Sequence, residues 1–231
     1  MTIRTLFTDR HGGESLPPYD TFNLAYHTGD LPEHVDRNRI LLQRRIGSEH
    51  IAWMDQVHGD RIRIVESVEE TTPPSCDALV TDRPGIALAV MVADCIPILL
   101  HDPVRGVIAA VHAGRNGTFL KVASKTAEAM GERFGSAMED IRVTMGPSIH
   151  ACCYEVGEEI GAIVRKNFGD AYMNDRSLNL QELNREMLLQ SGITRRHIEI
   201  SDICTCCNPN YFSYRRERTT GRSVGVVWIE K

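Results

Sequence analysis

The feature that most constrains this chain is an apolar run of fifteen residues, Ile86–Leu100, interrupted by Asp94 and Pro97 and soon followed by a second run, Val107–Val111. Fifteen residues are fewer than the roughly 20 a helix needs to cross a bilayer. An Asp near the centre of such a helix costs about 2.5–3.5 kcal/mol, while each Leu or Ile returns only about 0.3–0.6. The run therefore belongs inside a globular protein. Its β-branched stretches, Ile86–Val92, Ile96–Leu100 and Val107–Val111, are apolar at successive positions instead of alternating, the pattern of strands covered on both faces. A chain with such strands must lay apolar elements on both sides of a sheet.

Covering elements are legible on either side. Pro32 opens a helix that runs to about Ile46, with Gly47 as its stop. A helix over Thr118–Phe134 places Phe119, Val122, Ala123, Thr126, Met130 and Phe134 on one stripe, with Gly135 as its cap. Further helices are expected over Val156–Phe168 and Asn179–Gln190, a strand over Arg61–Val65 and a closing strand over Val224–Ile229. No repeat or linker-like tract divides the chain, although Thr71–Ser75 reads as an exposed loop, so a single domain over residues 1–231 is expected. A chain of 231 residues can bury roughly 70–75% of its unfolded surface and needs no disulfides to fold. The class is mixed α/β or α+β.

Charge narrows the partners. The 26 basic and 31 acidic residues give a net charge of -5, which disfavours general nucleic-acid binding because a polyphosphate needs a basic surface. A small-molecule partner fits better. Arg4 and Asp9 break the first ten residues, leaving no signal-peptide core, and no membrane segment is expected. The seven cysteines are an odd set in which Cys152-Cys153 and Cys206-Cys207 are immediate neighbours. Without a secretion signal they point to metal binding or burial more than to disulfides.

Three segments put a metal-competent side chain at the end of an apolar run: Gln56-Val57-His58-Gly59, Ala93-Asp94-Cys95 and Val111-His112-Ala113-Gly114. Two imidazoles and one thiolate would give zinc three protein ligands and leave a fourth position open, the pattern of a catalytic site, where a bound water ionises near pH ~7. The alternative is one buried His, one buried Cys and one capping His, since the spacing matches no local metal motif. Asp94 sits in the most apolar part of the chain and must have a partner, either as a proton acceptor or holder of a metal ligand, or as a cap on backbone N–H groups. Tyr211-Phe212-Ser213-Tyr214-Arg215-Arg216-Glu217-Arg218 with Arg222 interleaves arginines and aromatics, suited to phosphate and a base or sugar, or else to a solvated face.

A second group imitates a known motif. His197-Ile198-Glu199 and Cys204-Thr205-Cys206-Cys207 hold the H-x-E and C-x-x-C halves of the nucleobase-deaminase signature. Ile203 stands where that signature has proline, and four residues between the halves are too few for a parallel crossover. A structural metal on Cys204, Cys206 and Cys207 would need a fourth ligand. The chain has no P-loop, dinucleotide fingerprint or nucleophile elbow.

Taken in order, Gln56-Val57-His58-Gly59, Ala93-Asp94-Cys95-Ile96-Pro97, Ala110-Val111-His112-Ala113-Gly114, Gly146-Pro147-Ser148-Ile149 with Cys152-Cys153-Tyr154-Glu155-Val156-Gly157, and Phe212-Ser213-Tyr214-Arg215-Arg216 with Thr220-Gly221-Arg222 resemble the purine nucleoside phosphorylase family formerly described as polyphenol oxidase or multicopper laccase. Asn23-Leu24, His27, Gly29-Asp30 and Asn38-Arg39 look like that family's opening, and the resemblance covers essentially the whole chain. It implies an α+β, four-layer α/β/β/α fold with mixed sheets. It also implies zinc on His58, Cys95 and His112; Asp94 is expected beside them in catalysis, Asn23, Gln56, Arg215 and Arg222 in substrate binding, and Arg215, Arg216 or Arg222 as the holder of phosphate. The implied reactions are phosphorolysis of adenosine, inosine, guanosine and methylthioadenosine, and hydrolytic deamination of adenosine, in the cytoplasm and with purine nucleosides and inorganic phosphate as partners. One departure is plain: the family continues His-Ala-Gly with Trp-Arg-Gly, and this chain has Arg115-Asn116-Gly117.

Two rival readings share these residues. A copper polyphenol oxidoreductase could use His58, Cys95 and His112 with Met91 as a weak axial ligand. Oxygen reduction would call for a further copper cluster, usually announced by His-x-His pairs, and none of the nine histidines lies two residues from another. The other rival is a non-catalytic, zinc-stabilised binding protein.

Overall fold

The strands expected from the apolar runs form the middle of the molecule. The computed structural model describes residues 2–67 and 73–230. In chain order the elements are β1 (Ile3–Phe7), α1 (Pro32–Ile46), β2 (His50–Ala52), β3 (Ile62–Ile64), β4 (Ala78–Thr81), β5 (Ile86–Val92), β6 (Ile96–Asp102), β7 (Val107–Ala113), α2 (Arg115–Phe119) and α3 (Val122–Phe134). Then follow β8 (Arg142–Met145), α4 (Glu158–Phe168), β9 (Met173–Asn174), β10 (Ser177–Leu178), α5 (Leu180–Gln190), β11 (Ile198–Ile200), α6 (Tyr214–Glu217) and β12 (Ser223–Ile229). One sheet has the order β1-β12-β5-β2 and the other β11-β8-β6-β7-β4-β3, while β9 and β10 form a small hairpin. Both large sheets are mixed: β2 runs parallel to β5, β3 to β4 and β11 to β8, and the remaining pairs are antiparallel.

Period-two alternation along the central strands sorts the side chains into three apolar layers. On β5, Ala87, Ala89 and Met91 pack under Leu42 and Ile46 of α1, whereas Leu88, Val90 and Val92 face the other sheet and meet Leu99, Ile108 and Ala110. On β6 and β7 the opposite face, with Ile96, Ile98, Leu100, Ala109 and Val111, packs against Val122, Ala127 and Met130 of α3, Val164 of α4 and Leu188 of α5. Helix, sheet, sheet, helix is thus the four-layer order implied by the resemblance. Leu99 is fully buried between the sheets, where truncation to Ala would cost about 2–5 kcal/mol.

Differences from the sequence reading are local. The helix expected over Thr118–Phe134 is two helices, because Lys121 takes a left-handed φ of 61° between them. Gly117 explains the extra turn: a Cβ there would lie 3.2 Å from the carbonyl oxygens of Gly59 and His112, so α2 docks closely on the strand ends. At α4 the start moves to Glu158, since Val156 N–H donates to the Arg176 carbonyl in a loop contact. Asn179 lies just outside α5 as its cap, accepting from Glu182 N–H at 3.0 Å. Strands β6 and β7 each run two residues beyond the expected ends. Of the loop expected over Thr71–Ser75, Thr71 and Thr72 lie outside the described residues, while Ser75 bridges to Asp55.

Candidate metal centre

Strand register delivers the site. Pairing of β6 with β7 sets Pro97 opposite His112, so Cys95, just before β6, arrives beside the end of β7. Pairing of β4 with β7 sets Ala78 opposite Val111, and His112 N–H donates to the Asp77 carbonyl at 2.8 Å. Three adjacent strands therefore place Asp77, His112 and Cys95 at one end of the sheet. His58 joins from the loop after β2, in a left-handed conformation with φ 59°. That conformation is strained for a non-glycine residue and is held by its surroundings: the His58 and Gly59 N–H groups donate to the two Asp77 carboxylate oxygens at 2.9 and 2.7 Å.

The ligand atoms of His58, Cys95 and His112 lie within 4.8 Å of one another, and the two rings meet edge to face with centroids 4.7 Å apart. Asp77 Oδ1 lies 2.8 Å from His112 Nδ1. Burial alone would raise the Asp77 carboxyl, but the hydrogen bonds from His112 and the two backbone amides outweigh it and hold Asp77 below its ordinary value. An ionised carboxylate only accepts, so His112 carries its proton on Nδ1 and keeps Nε2 for a ligand. Burial would likewise lift the Cys95 thiol, yet His112 and His58 bring it down to about 6. Burial would lower His112, and the neighbouring Cys95 and Asp77 raise it to about 9. The metal-free pair is thus a thiolate beside an imidazolium. Gly114 leaves the room: a Cβ there would stand 3.0 Å from Cys95 Sγ and 3.4 Å from His58 Cδ2. A deprotonated thiolate, a tautomer-locked imidazole and a second imidazole around a space that a methyl group would fill make a donor set suited to a tetrahedral metal.

These residues form the floor of a cavity of about 430 Å³ that also includes His27, Gln56, Asp94, Tyr154, Tyr214, Arg215, Arg218 and Arg222. A larger one of about 690 Å³, with Arg39, Trp53 and Tyr26 in its wall, adjoins it and shares His27 and Met91, but contains none of the three ligand residues. The smaller cavity holds all three ligand residues. The chain's negative net charge is locally reversed by the three arginines, which suits an anionic ligand. Burial keeps the Tyr154 hydroxyl protonated, and burial together with Arg222 keeps His27 neutral.

The candidate substrate residues take different stations. Gln56 lines the cavity, but its amide is spent on the Met91 backbone, donating to the carbonyl and accepting from the N–H, both at 2.8 Å. Asp94, at φ 92°, accepts from Thr205 Oγ1 at 2.7 Å and from Arg215 N–H at 2.6 Å, so it holds the arginine segment in place. Asn23 is fully buried behind the cavity: its amide donates to Ala25, Thr28 and Asp30, and its oxygen accepts from Arg222 N–H at 2.9 Å. It orders the Arg222 backbone, directly behind the arginine that faces the cavity. Arg215 donates to the carbonyls of Cys153 and Glu155, whereas Arg222 donates through Nη1 alone, to Thr220 and Gly221. Arg115 and Asn116, at the departure from the family pattern, begin α2 outside the cavity wall. Asp77 was missed, although it shows the signal that singled out the others, a polar side chain at the edge of the apolar stretch Ala78-Leu79-Val80.

Fold and site together define a four-layer α/β/β/α protein with a His/Cys/His cluster able to hold a metal. The chain belongs to the family described as multi-copper polyphenol oxidoreductase laccase, whose model matches residues 4–230. It is similar to a Streptomyces griseus protein named purine nucleoside phosphorylase, 40% identical over 97% of this chain and 93% of the relative. A Mycobacterium tuberculosis protein of the same name is 38% identical over 100% of this chain and 93% of its own length. The crystal structure of YlmD from Geobacillus stearothermophilus matches with a TM-score of 0.93 at 32% identity, covering 99% of this chain and 92% of that one. Among the described residues no helix is long and apolar enough to cross a membrane.

Proposed function

We propose that the chain is a zinc-dependent purine nucleoside phosphorylase that cleaves adenosine, inosine, guanosine and methylthioadenosine and also deaminates adenosine. The observation that carries this reading is that the His58, Cys95 and His112 cluster and the arginines Arg218 and Arg222 line one cavity, as a reaction between a nucleoside and phosphate requires. The names of the similar proteins support it. His58, Cys95 and His112 would hold the zinc, which when bound supplies a Lewis acid. In phosphorolysis a phosphate oxygen bonds to ribose C1′, the bond from C1′ to the purine nitrogen breaks, and the electron pair leaves on the base, which takes up a proton. Arg222, with guanidinium nitrogens left over from its backbone contacts, and Arg218 orient the phosphate. Tyr154 supplies a hydroxyl donor to the leaving base, and neutral His27 accepts a hydrogen bond from the sugar. In deamination a water oxygen bonds to C6 of the purine and ammonia leaves.

Zinc is favoured over copper because an oxidase needs a second copper cluster, and the other candidate ligand group among the described residues consists of cysteines alone. The test is product analysis with adenosine and inosine, with and without phosphate, for the wild type and His58→Ala. Both activities should vanish together. Wild-type phosphorolysis in a variant without deamination would separate the two sites, and a zinc-loaded wild type inert toward every nucleoside would overturn the reading.

A further inference from the structure

Behind the arginine segment a second ligand group converges from two loops. One loop follows β8 and carries Cys152 and Cys153; the other follows β11 and carries Cys204 and Cys207. The four sulfurs lie within 4.8 Å of one another, with Cys153 and Cys207 3.2 Å apart, Cys152 and Cys207 3.6 Å, and Cys152 and Cys153 3.8 Å. A tetrahedral zinc with Zn–S bonds of about 2.3 Å sets its sulfurs about 3.8 Å apart. A disulfide needs about 2.05 Å, and these three separations are well beyond it. Cys206 stays outside the group, so the metal trio conceivable from the sequence, Cys204, Cys206 and Cys207, is replaced by two cysteines from each loop.

We propose that Cys152, Cys153, Cys204 and Cys207 form a closed zinc site that staples the two loops together behind the nucleoside cavity. The donor set is all thiolate, which selects a soft tetrahedral metal and leaves no position for water, the mark of a structural centre. Each thiol releases its proton on binding and no electron is transferred, so the loaded site carries two net negative charges. Partners for that charge are at hand. His150 N–H donates to Cys204 Sγ at 3.4 Å. Arg215 Nη1 donates to the Cys153 carbonyl at 2.8 Å, and Arg216 Nη1 donates to the carbonyls of Thr205 and Cys206 at 2.6 and 3.0 Å. Two guanidinium groups thus sit directly on the ligand loops. The loops are also tied to each other by backbone bonds, Ser148 N–H to Ile203 and Thr205 N–H to Ser148, which bring the cysteines together before any metal arrives.

The experiment uses whole protein reconstituted with zinc alone, measured by elemental analysis and by X-ray absorption at the zinc edge. In Cys95→Ala, about one zinc per chain should remain, with sulfur-only coordination at about 2.3 Å. In Cys207→Ser one equivalent fewer than in wild type should be bound, and in Cys95→Ala with Cys207→Ser none. If Cys207→Ser fails to fold, the coordination in Cys95→Ala still decides. A folded Cys95→Ala protein that takes up no zinc overturns the proposal, whether its four cysteines react as free thiols or appear by mass as disulfides two hydrogens lighter each. Nitrogen in the remaining shell overturns it as well. None of these outcomes depends on nucleoside turnover, so the staple and the proposed activity fail separately.

Discussion

The two sulfur-bearing clusters differ in what holds them. Cys95 and His112 stand at the ends of paired central strands, and His58 is fastened to them from the loop after β2 by Asp77, which binds the His58 N–H and the His112 ring, with a cavity in front. Cys152, Cys153, Cys204 and Cys207 stand on two loops, with Cys152 and Cys207 exposed and Cys204 buried. On the sheet three ligands would suffice and leave one position for a reactant, whereas four thiolates drawn from two loops would close the shell around a metal and fasten the loops to each other. The difference separates chemistry from support.

Removing a strand-end ligand should therefore do the most damage. His112→Ala or Cys95→Ala should lose one zinc and all nucleoside turnover while near-UV circular dichroism stays native, because the surrounding layers do not rely on the metal. Two zincs retained in both variants would erase the distinction. Next in size is pH. A metal needs neutral His112, so zinc affinity at the front site, measured in Cys207→Ser, should fall about tenfold per pH unit as pH drops below about 9, where the imidazole takes its proton. The fall should steepen below about 6, where Cys95 is protonated too. A pH-independent affinity between 6 and 9 would contradict the thiolate–imidazolium pair.

Asp77→Asn should cost 10- to 100-fold in zinc affinity or turnover, the usual effect of losing an outer partner, and should leave the four-cysteine site full. Arg222→Met should raise the phosphate KM roughly 10- to 150-fold, as expected for a charged hydrogen bond worth about 1.5–3 kcal/mol, with water-driven deamination less affected. Equal loss of both reactions would assign Arg222 to the fold. The smallest effect on turnover, less than about threefold, is expected for Cys207→Ser. Its mark should instead be thermal: zinc at about a hundred times its Kd contributes about 2.7 kcal/mol, and at about 2–4 °C per kcal/mol the melting temperature should drop roughly 5–10 °C. Unchanged melting would leave the loops rigid without metal.

Much of this was legible in the chain. The two-sided strands, α1 with its Pro32 start and Gly47 stop, and the three segments bearing His58, Cys95 and His112 follow from short-range patterns, because periodicity and capping act over a few residues. The break at Lys121 did not show, since it answers to the close approach of Gly117 to the end of β7 at His112 and to Gly59, which is distant in sequence from the helix stripe. The partners of Asn23 were not legible either, because only the packed fold brings its side chain to Ala25, Thr28, Asp30 and the Arg222 N–H.

What the sequence determined by itself is the inventory: which stretches must be buried, which side chains could ligate, and where turns must fall. Tertiary structure decided the partnerships. Asp77 meets His112 through the register of β4 on β7, and Cys152 meets Cys207 through loops 55 residues apart. The physical reason is that local conformation is set by neighbours within a turn or two of chain, while strand register and loop docking are set by how whole apolar faces fit together. A ligand group drawn from such distant segments exists only after the layers have closed.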